Sequence, residues 1–250
     1  SGAGFSVATL TGANFSGAIV TGANFDGTVA RGFTASQLYS TASYQAHNLQ
    51  RIVLSNNNLS GWDFAGQDLT GANFTNANLS LAALTGANMA GATIGGANLD
   101  GATNYGLTQK FLQSTASYAS HNLKNVNLSN NDLRGWDFTG QNLTGAKLIA
   151  SDLRGAIGLS TTGATTTNAI LPTGVINGLS LSGTANLLMV RDYDDVPPIP
   201  IHVVDSFSQD STGLLRFIFD DTTWGSTISF DPDIPVTLAG GIDLTLADAV

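Results

Sequence analysis

Large apolar residues recur every five positions along this chain. Leu54, Leu59, Phe64, Leu69, Phe74, Leu79, Leu84, Met89, Ile94 and Leu99 share one grid. Phe5, Leu10, Phe15, Val20 and Phe25 share an earlier one, a single residue out of register. A period of five matches neither the turn of a helix nor the two-residue alternation of a strand. A short fixed period instead predicts a solenoid, in which each unit buries its apolar side chain only by stacking on its neighbours.

Written as units, the run reads ANFSG, ANFDG, NNLSG, QDLTG, ANFTN, ANLSL, ANMAG, ANLDG, NDLRG and QNLTG. The centre is usually Leu or Phe, with Ala often two residues before it, so both are expected to point inward. Asn or Asp often precedes the centre and Gly often closes the unit, as tight turns require. This A-N/D-L/F-x-G pattern resembles the pentapeptide-repeat family over roughly residues 3–155. The resemblance implies an all-β fold: a right-handed parallel β-helix of quadrilateral cross-section, with four units per coil. Twenty-three centres fit it: five from Phe5 to Phe25, eleven from Leu49 to Leu99 and seven from Leu123 to Leu153.

A longer repeat lies over the first. The segment 35–74 aligns with 109–148, so that Leu38 answers to Leu112 and Trp62 to Trp136. Each copy contains a segment off the grid, 33–47 and 107–121, read as a short helical insert anchored by Leu38 and Tyr39 or by Phe111 and Leu112. The step from Phe25 to Leu49 equals that from Leu99 to Leu123. If each insert replaces one side of a coil, the two project from opposite faces; if it is extruded more fully, they project from one face. Trp62 and Trp136 stand where Ala is usual, and an indole does not fit that inner corner. They are expected to turn outward, Trp62 covering the helix of Leu38 and Tyr44, and Trp136 that of Leu112 and Tyr118. Display of the indoles to a ligand is the alternative.

Beyond Ile157 the grid decays. The chain divides into a β-helix over 1–158, a Thr-rich linker over 159–170 and an acidic β-rich domain over 171–250. That last part reads as a small all-β domain or as a broader continuation of the β-helix. Alternation in 215–219 and 242–246 suits strands with one buried face. Either arrangement is expected to cover the end of the rod.

The formal net charge of −9 is unevenly placed. Residues 1–170 carry seven aspartates against seven lysines and arginines, whereas 171–250 carry eleven aspartates against Arg191 and Arg216. Some relatives in the resembled family imitate DNA and bind type II topoisomerases; a rod with balanced charge argues against that role, and equally against nucleic-acid binding. Glutamate is absent, which disfavours long amphipathic helices. Cysteine is absent, so there are no disulfides or thiolate metal sites. No run is long and apolar enough to span a membrane.

Catalysis has little support. His47 and His121 are copies of one scaffold position, His202 stands alone, and no Ser-His-Asp set can be assembled by spacing. No cofactor is expected. Asp192, Asp194, Asp195, Asp231 and Asp233 offer the hard oxygen ligands that calcium takes, with solvated turn aspartates as the plainer reading. The chain starts at Ser1 without an initiator methionine, read as a removed secretory leader, and its STASY and GWDF segments resemble secreted bacterial members of the family. The expected function is a non-enzymatic extracellular or cell-surface structural protein. It would pack head to tail with itself, the acidic tail meeting Phe5 and Leu10 of the next first coil. A monomeric module binding a surface glycan or a protein is the competing class.

Overall fold

The protein is described by a computed structural model covering residues 2–183, 186–191, 199–219 and 227–246. Two compact units divide it, one of residues 1–128 with 141–146 and one of 129–140 with 147–250. Strand and bridge pairing dominate both, and helices are few and short.

In the first unit, parallel bridges join Asn58 to Asn78 and Asn78 to Asn98. Others join Asp63 to Ala83, Asp68 to Asn88 and Asn73 to Thr93. Every step covers four five-residue units, so one coil carries four ladders. Leu59 N–H donates to the Asn78 carbonyl at 2.8 Å, and Asn78 N–H to the Asn57 carbonyl at 2.9 Å. Leu59, Phe64, Leu69 and Phe74 occupy successive ladders and are fully buried. Each contributes about 1.5–3 kcal/mol through burial. Ala72, Ala77 and Ala97, two residues before a centre, are buried where only a small side chain fits.

The polar positions follow from the turns. Asn73 Oδ1 accepts from Thr75 N–H at 2.9 Å, and Asn78 Oδ1 from Ser80 N–H at 3.1 Å, closing each corner locally. Asn78 and Asn98 also donate to the asparagine one coil earlier, both at 2.9 Å. The residue that closes a unit has positive φ: 73° at Gly61, 56° at Asn76 and 61° at Leu81. Glycine's prevalence there is a backbone requirement.

Each insert holds two helices, where one was expected. The first has α1 (Ala35–Tyr39) and α2 (Ala42–Gln45); the second has α3 (Gln109–Ser114) and α4 (Ala116–Ala119). The threonine of STASY makes the break. Thr41 accepts from Tyr44 N–H, and Thr115 from Tyr118 N–H, both at 3.1 Å, so each starts a new helix as its N-cap.

The register differs from both expected alternatives. Asn24 pairs with Val53 and Asn98 with Asn127, each nine positions beyond the regular spacing, so an insert lengthens one coil by that amount. Phe33 and Leu38 are buried and fill two ladder positions. Leu10 N–H and Gly17 N–H below them donate to the Arg31 and Ser40 carbonyls. The step from Phe25 to Leu49 thus spans three ladders. With ten further units to Leu99, the second insert starts one ladder on from the first, neither opposite it nor on the same face.

In the second unit, Asp132 pairs with Asp152 and Asp137 with Ile157. Lys147 then pairs with Thr165 and Asp152 with Ile170. Much of the segment expected to be a linker is therefore another rung, two positions shorter than the standard coil. Six strands follow: β1 (Val175–Leu181), β2 (Leu187–Arg191), β3 (Ile201–Gln209), β4 (Leu214–Phe219), β5 (Ile228–Phe230) and β6 (Gly241–Leu246). They form two parallel sheets, β1-β3-β5 and β2-β4-β6. Ile201 pairs with Ile228, Leu187 with Leu214 and Leu214 with Gly241, a constant step longer than that of the first unit. Within the tail, successive strands thus stack in parallel at a longer spacing. Ile176, Leu179, Leu188, Val190, Ile201 and Val203 form its core.

One buried charge ties these layers together. Arg154 is 0% exposed; its Nη2 donates to Asp152 Oδ2 and to the Arg191 carbonyl, both at 2.7 Å. Its Nη1 reaches the Ile199 carbonyl at 3.3 Å. A buried guanidinium is tolerated only with such partners. Beside it, burial pushes the Asp132 carboxyl up, but hydrogen bonds and charge from Arg134 outweigh this and hold it below the ordinary range.

The turn geometry yields a stability test. Leu81 is 54% exposed and sits in the left-handed region. That conformation costs a non-glycine residue ~1–2 kcal/mol. The flexibility of glycine in the unfolded chain returns ~0.4–1 kcal/mol. Leu81→Gly should therefore stabilise the protein by about 1 kcal/mol, read from the urea midpoint; a destabilised variant contradicts the turn assignment.

Candidate functional site

An aromatic cluster lies under the first insert. Trp62 is 8% exposed, with ring centroids 5.8 Å from Phe33, 6.4 Å from Phe64 and 6.4 Å, edge-on, from Tyr39. Phe33 stacks on Phe25 at 4.4 Å. Trp62 therefore lies beneath the insert, packed on Phe33 and Tyr39. Tyr39 and Tyr44 pack at 4.5 Å and grip one residue from two sides. Asp63 N–H donates to the Tyr39 hydroxyl, and the Tyr44 hydroxyl donates to the Asp63 carbonyl at 3.0 Å. Both phenols are thus spent on holding the insert to the coil. Burial, then the Asp63 charge and Tyr39, push the Tyr44 phenol up to about 12.

Trp136 occupies the same repeat position in the second unit, is 8% exposed and stacks with Phe138 at 6.5 Å. Leu112 and Tyr118 belong to the first unit. His47 and His121 are matched turn residues, each with Nδ1 3.4 Å from a buried glutamine amide, Gln67 or Gln141. Asp26 accepts from Ser55 and Asn56, both at 2.7 Å, and from Ser6 at 3.2 Å; these bonds hold its carboxyl below the usual range.

Phe5 and Leu10 face the inside of the first coil. Phe5 stacks on Phe25 at 5.1 Å and meets Phe15 edge-on at 5.4 Å, while Leu10 is 6% exposed. The large apolar residues exposed in this segment are instead Val7 and Ile19.

The tail assembles a Ser-His-Asp set that spacing did not reveal. His202 of β3 has Nδ1 2.9 Å from Ser229 Oγ of β5 and Nε2 2.8 Å from Asp231 Oδ1. The longer coil of the tail carries His202 and Ser229 to neighbouring rungs, and that period was the missed signal. The Ser229 hydroxyl also lies 3.2 Å from the Ile201 carbonyl, a second acceptor for its single proton. The trio works as a clamp between β3 and β5. Asp231 is engaged in that clamp, Asp233 is exposed, and Asp192, Asp194 and Asp195 lie outside the described residues. Among the described residues no three His, Cys, Asp or Glu side chains come together as a metal site. No described helix is long and apolar enough to cross a membrane.

A family model of pentapeptide repeats matches residues 1–32, 48–86, 68–103 and 122–157, in eight copies. Over these segments the chain is similar to pentapeptide-repeat proteins. A search of curated proteins finds no match. Among solved structures, a pentapeptide repeat protein from the thylakoid lumen of Arabidopsis thaliana is 24% identical. That alignment covers 47% of this chain and 63% of the other, at a TM-score of 0.17. The plasmid-mediated fluoroquinolone resistance protein QnrB1 is 16% identical over 67% of this chain and 68% of its own, at a TM-score of 0.16. Neither overlay supports a functional argument. Pentapeptide-repeat proteins are generally structural or binding proteins rather than enzymes.

The Tyr44 clamp of the first insert predicts an alkaline limit on stability. The folded phenol keeps its proton up to about 12, whereas an unfolded tyrosine loses it near 10. The clamp's contribution is thus complete below about pH 10 and falls as pH rises toward 12. Tyr44→Phe should cost about 1 kcal/mol at neutral pH and flatten this alkaline decline. Urea unfolding across that range checks it, and an unchanged slope would remove Tyr44 as the cause.

Proposed function

We propose that this chain is a non-enzymatic, extracellular structural protein of the secreted bacterial kind with STASY and GWDF inserts. Its repeats wind as a right-handed, four-sided β-helix whose coils add subunit on subunit into a fibre or surface layer. The supporting observation is the apolar row that runs across β2, β4 and β6. Leu188 is fully buried, its partner Leu215 is 5% exposed, and Ile242 beyond is 51% exposed. Val190 is likewise buried, and Leu244, two rungs on, is 67% exposed. Side chains of one ladder face one way, so β6 presents a core row with nothing stacked on it among the described residues. An outer parallel strand of this kind accepts another through its backbone groups.

Balanced charge over residues 1–170 favours stacking over nucleic-acid mimicry. Against display of the indoles in the competing binding-module reading, Trp62 and Trp136 are each only 8% exposed. Negative-stain microscopy of the purified chain should show long fibres with a regular axial repeat. Leu244→Asp should shorten or abolish them while leaving the circular dichroism unchanged. Uniform short particles from the unaltered chain would overturn the proposal.

A further inference from the structure

The two inserts are copies, and one difference between them leaves a polar site that only the first insert fills for itself. In the first, Gln37 of α1 lays its carboxamide on the coil below. Nε2 donates to the Leu10 carbonyl at 2.8 Å and to the Ala13 carbonyl at 2.7 Å. Oε1 accepts from Thr34 N–H at 2.8 Å. Two acceptors and one donor of the backbone are thus satisfied by one side chain.

The offset between the copies places Phe111 where Gln37 stands, with Leu84, Ala87 and Thr108 in place of Leu10, Ala13 and Thr34. A phenyl ring can neither donate nor accept these bonds. The Leu84 carbonyl keeps its bond from Ala87 N–H at 3.0 Å. Among the described residues, no side chain donates to the Leu84 or Ala87 carbonyl, and Thr108 N–H has no acceptor. A cavity of about 420 Å³ opens at this place, lined by these three residues together with Met89, Phe111 and Lys110. Met89 replaces the bulkier Phe15, which helps to open the space, and Phe111 is 6% exposed and gives it an apolar wall.

We propose that this cavity binds a primary carboxamide. Its –NH2 would donate to the Leu84 and Ala87 carbonyls, its oxygen would accept from Thr108 N–H, and its carbon stem would lie on Met89 and Phe111. The first insert supplies the pattern within the same molecule. An amine lacks the acceptor that Thr108 requires, and a carboxylate lacks the donors that the carbonyls require. Free glutamine and a glutamine side chain on a peptide both carry this group; the exposed Lys110 at the rim would assist the first through its carboxylate.

The test is heteronuclear NMR on the full chain titrated with acetamide, L-glutamine and the peptide Ala-Gln-Ala. The amide signals of Ala87, Thr108 and Phe111 should move, while those of Ala13 and Thr34 stay still. N,N-dimethylacetamide, which has no N–H, should bind about thirtyfold more weakly, the equivalent of two lost hydrogen bonds. L-Glutamine binding above the peptide identifies the free amino acid as the source; the reverse order identifies a peptide. Phe111→Gln should close the site from within and abolish the shifts. Gln37→Ala should open a second site, so that acetamide then moves Ala13 and Thr34; this arm decides the matter if Phe111→Gln does not fold. No shift with any carboxamide, or equal binding of the dimethyl compound, overturns the proposal.

Discussion

Parallel backbone hydrogen bonds from one coil to the next are the constraint on which the first unit rests. A bond such as Leu59 N–H to the Asn78 carbonyl forms only if each coil returns its strand in register with the one before. Given that register, each centre meets its counterpart and the large side chains stack. A change of one residue would turn the row of centres out of the interior. The inserts respect this rule by leaving the ladder and returning to it, longer by nine positions but in register. Their extra length is stored in short capped helices, and their apolar residues, Phe33 and Leu38, are used as ladder centres.

Much of this was legible in the residues. The centres from Leu54 to Leu99 were readable because one side chain in five has one job, and burial enforces it. The inserts were readable as breaks in that grid. Their internal form was not, because a threonine acting as a second N-cap, such as Thr41, looks like any small polar residue. Their register was hidden because Phe33 lies eight positions after Phe25, which a grid of five does not count. The tail was the least transparent part. Its longer period recurs too few times to stand out, so the meeting of His202 with Ser229 and Asp231 became visible only in three dimensions. The expected linker failed for a related reason: Thr165 and Ile170 hold rungs through their backbones, which side-chain patterns do not report.

Where the scaffold repeats faithfully, its polar residues are consumed by the scaffold itself. Asn78 serves the ladder, His47 and His121 close turns, and both tyrosines of the first insert grip Asp63. Distinctive chemistry then appears where one copy departs from the other. Phe111 in place of Gln37 is such a departure, and the graded exposure from Leu188 to Ile242 is another. The first leaves backbone groups unmatched and the second leaves apolar area unmatched, so they call for different kinds of occupant.

The absence of cysteine allows the four-unit coil to be tested by a single cross-link. Ser60 and Ser80 lie on adjacent rungs of one ladder, with hydroxyl oxygens 3.2 Å apart. Strands pair at about 4.8 Å, within reach of a disulfide. The double variant Ser60→Cys/Ser80→Cys should oxidise readily to an intramolecular bond, detected by mass spectrometry. The pair Ser60→Cys/Thr75→Cys, one unit out of register, should stay reduced. Cross-linking of the second pair in preference to the first would contradict the stacked coil.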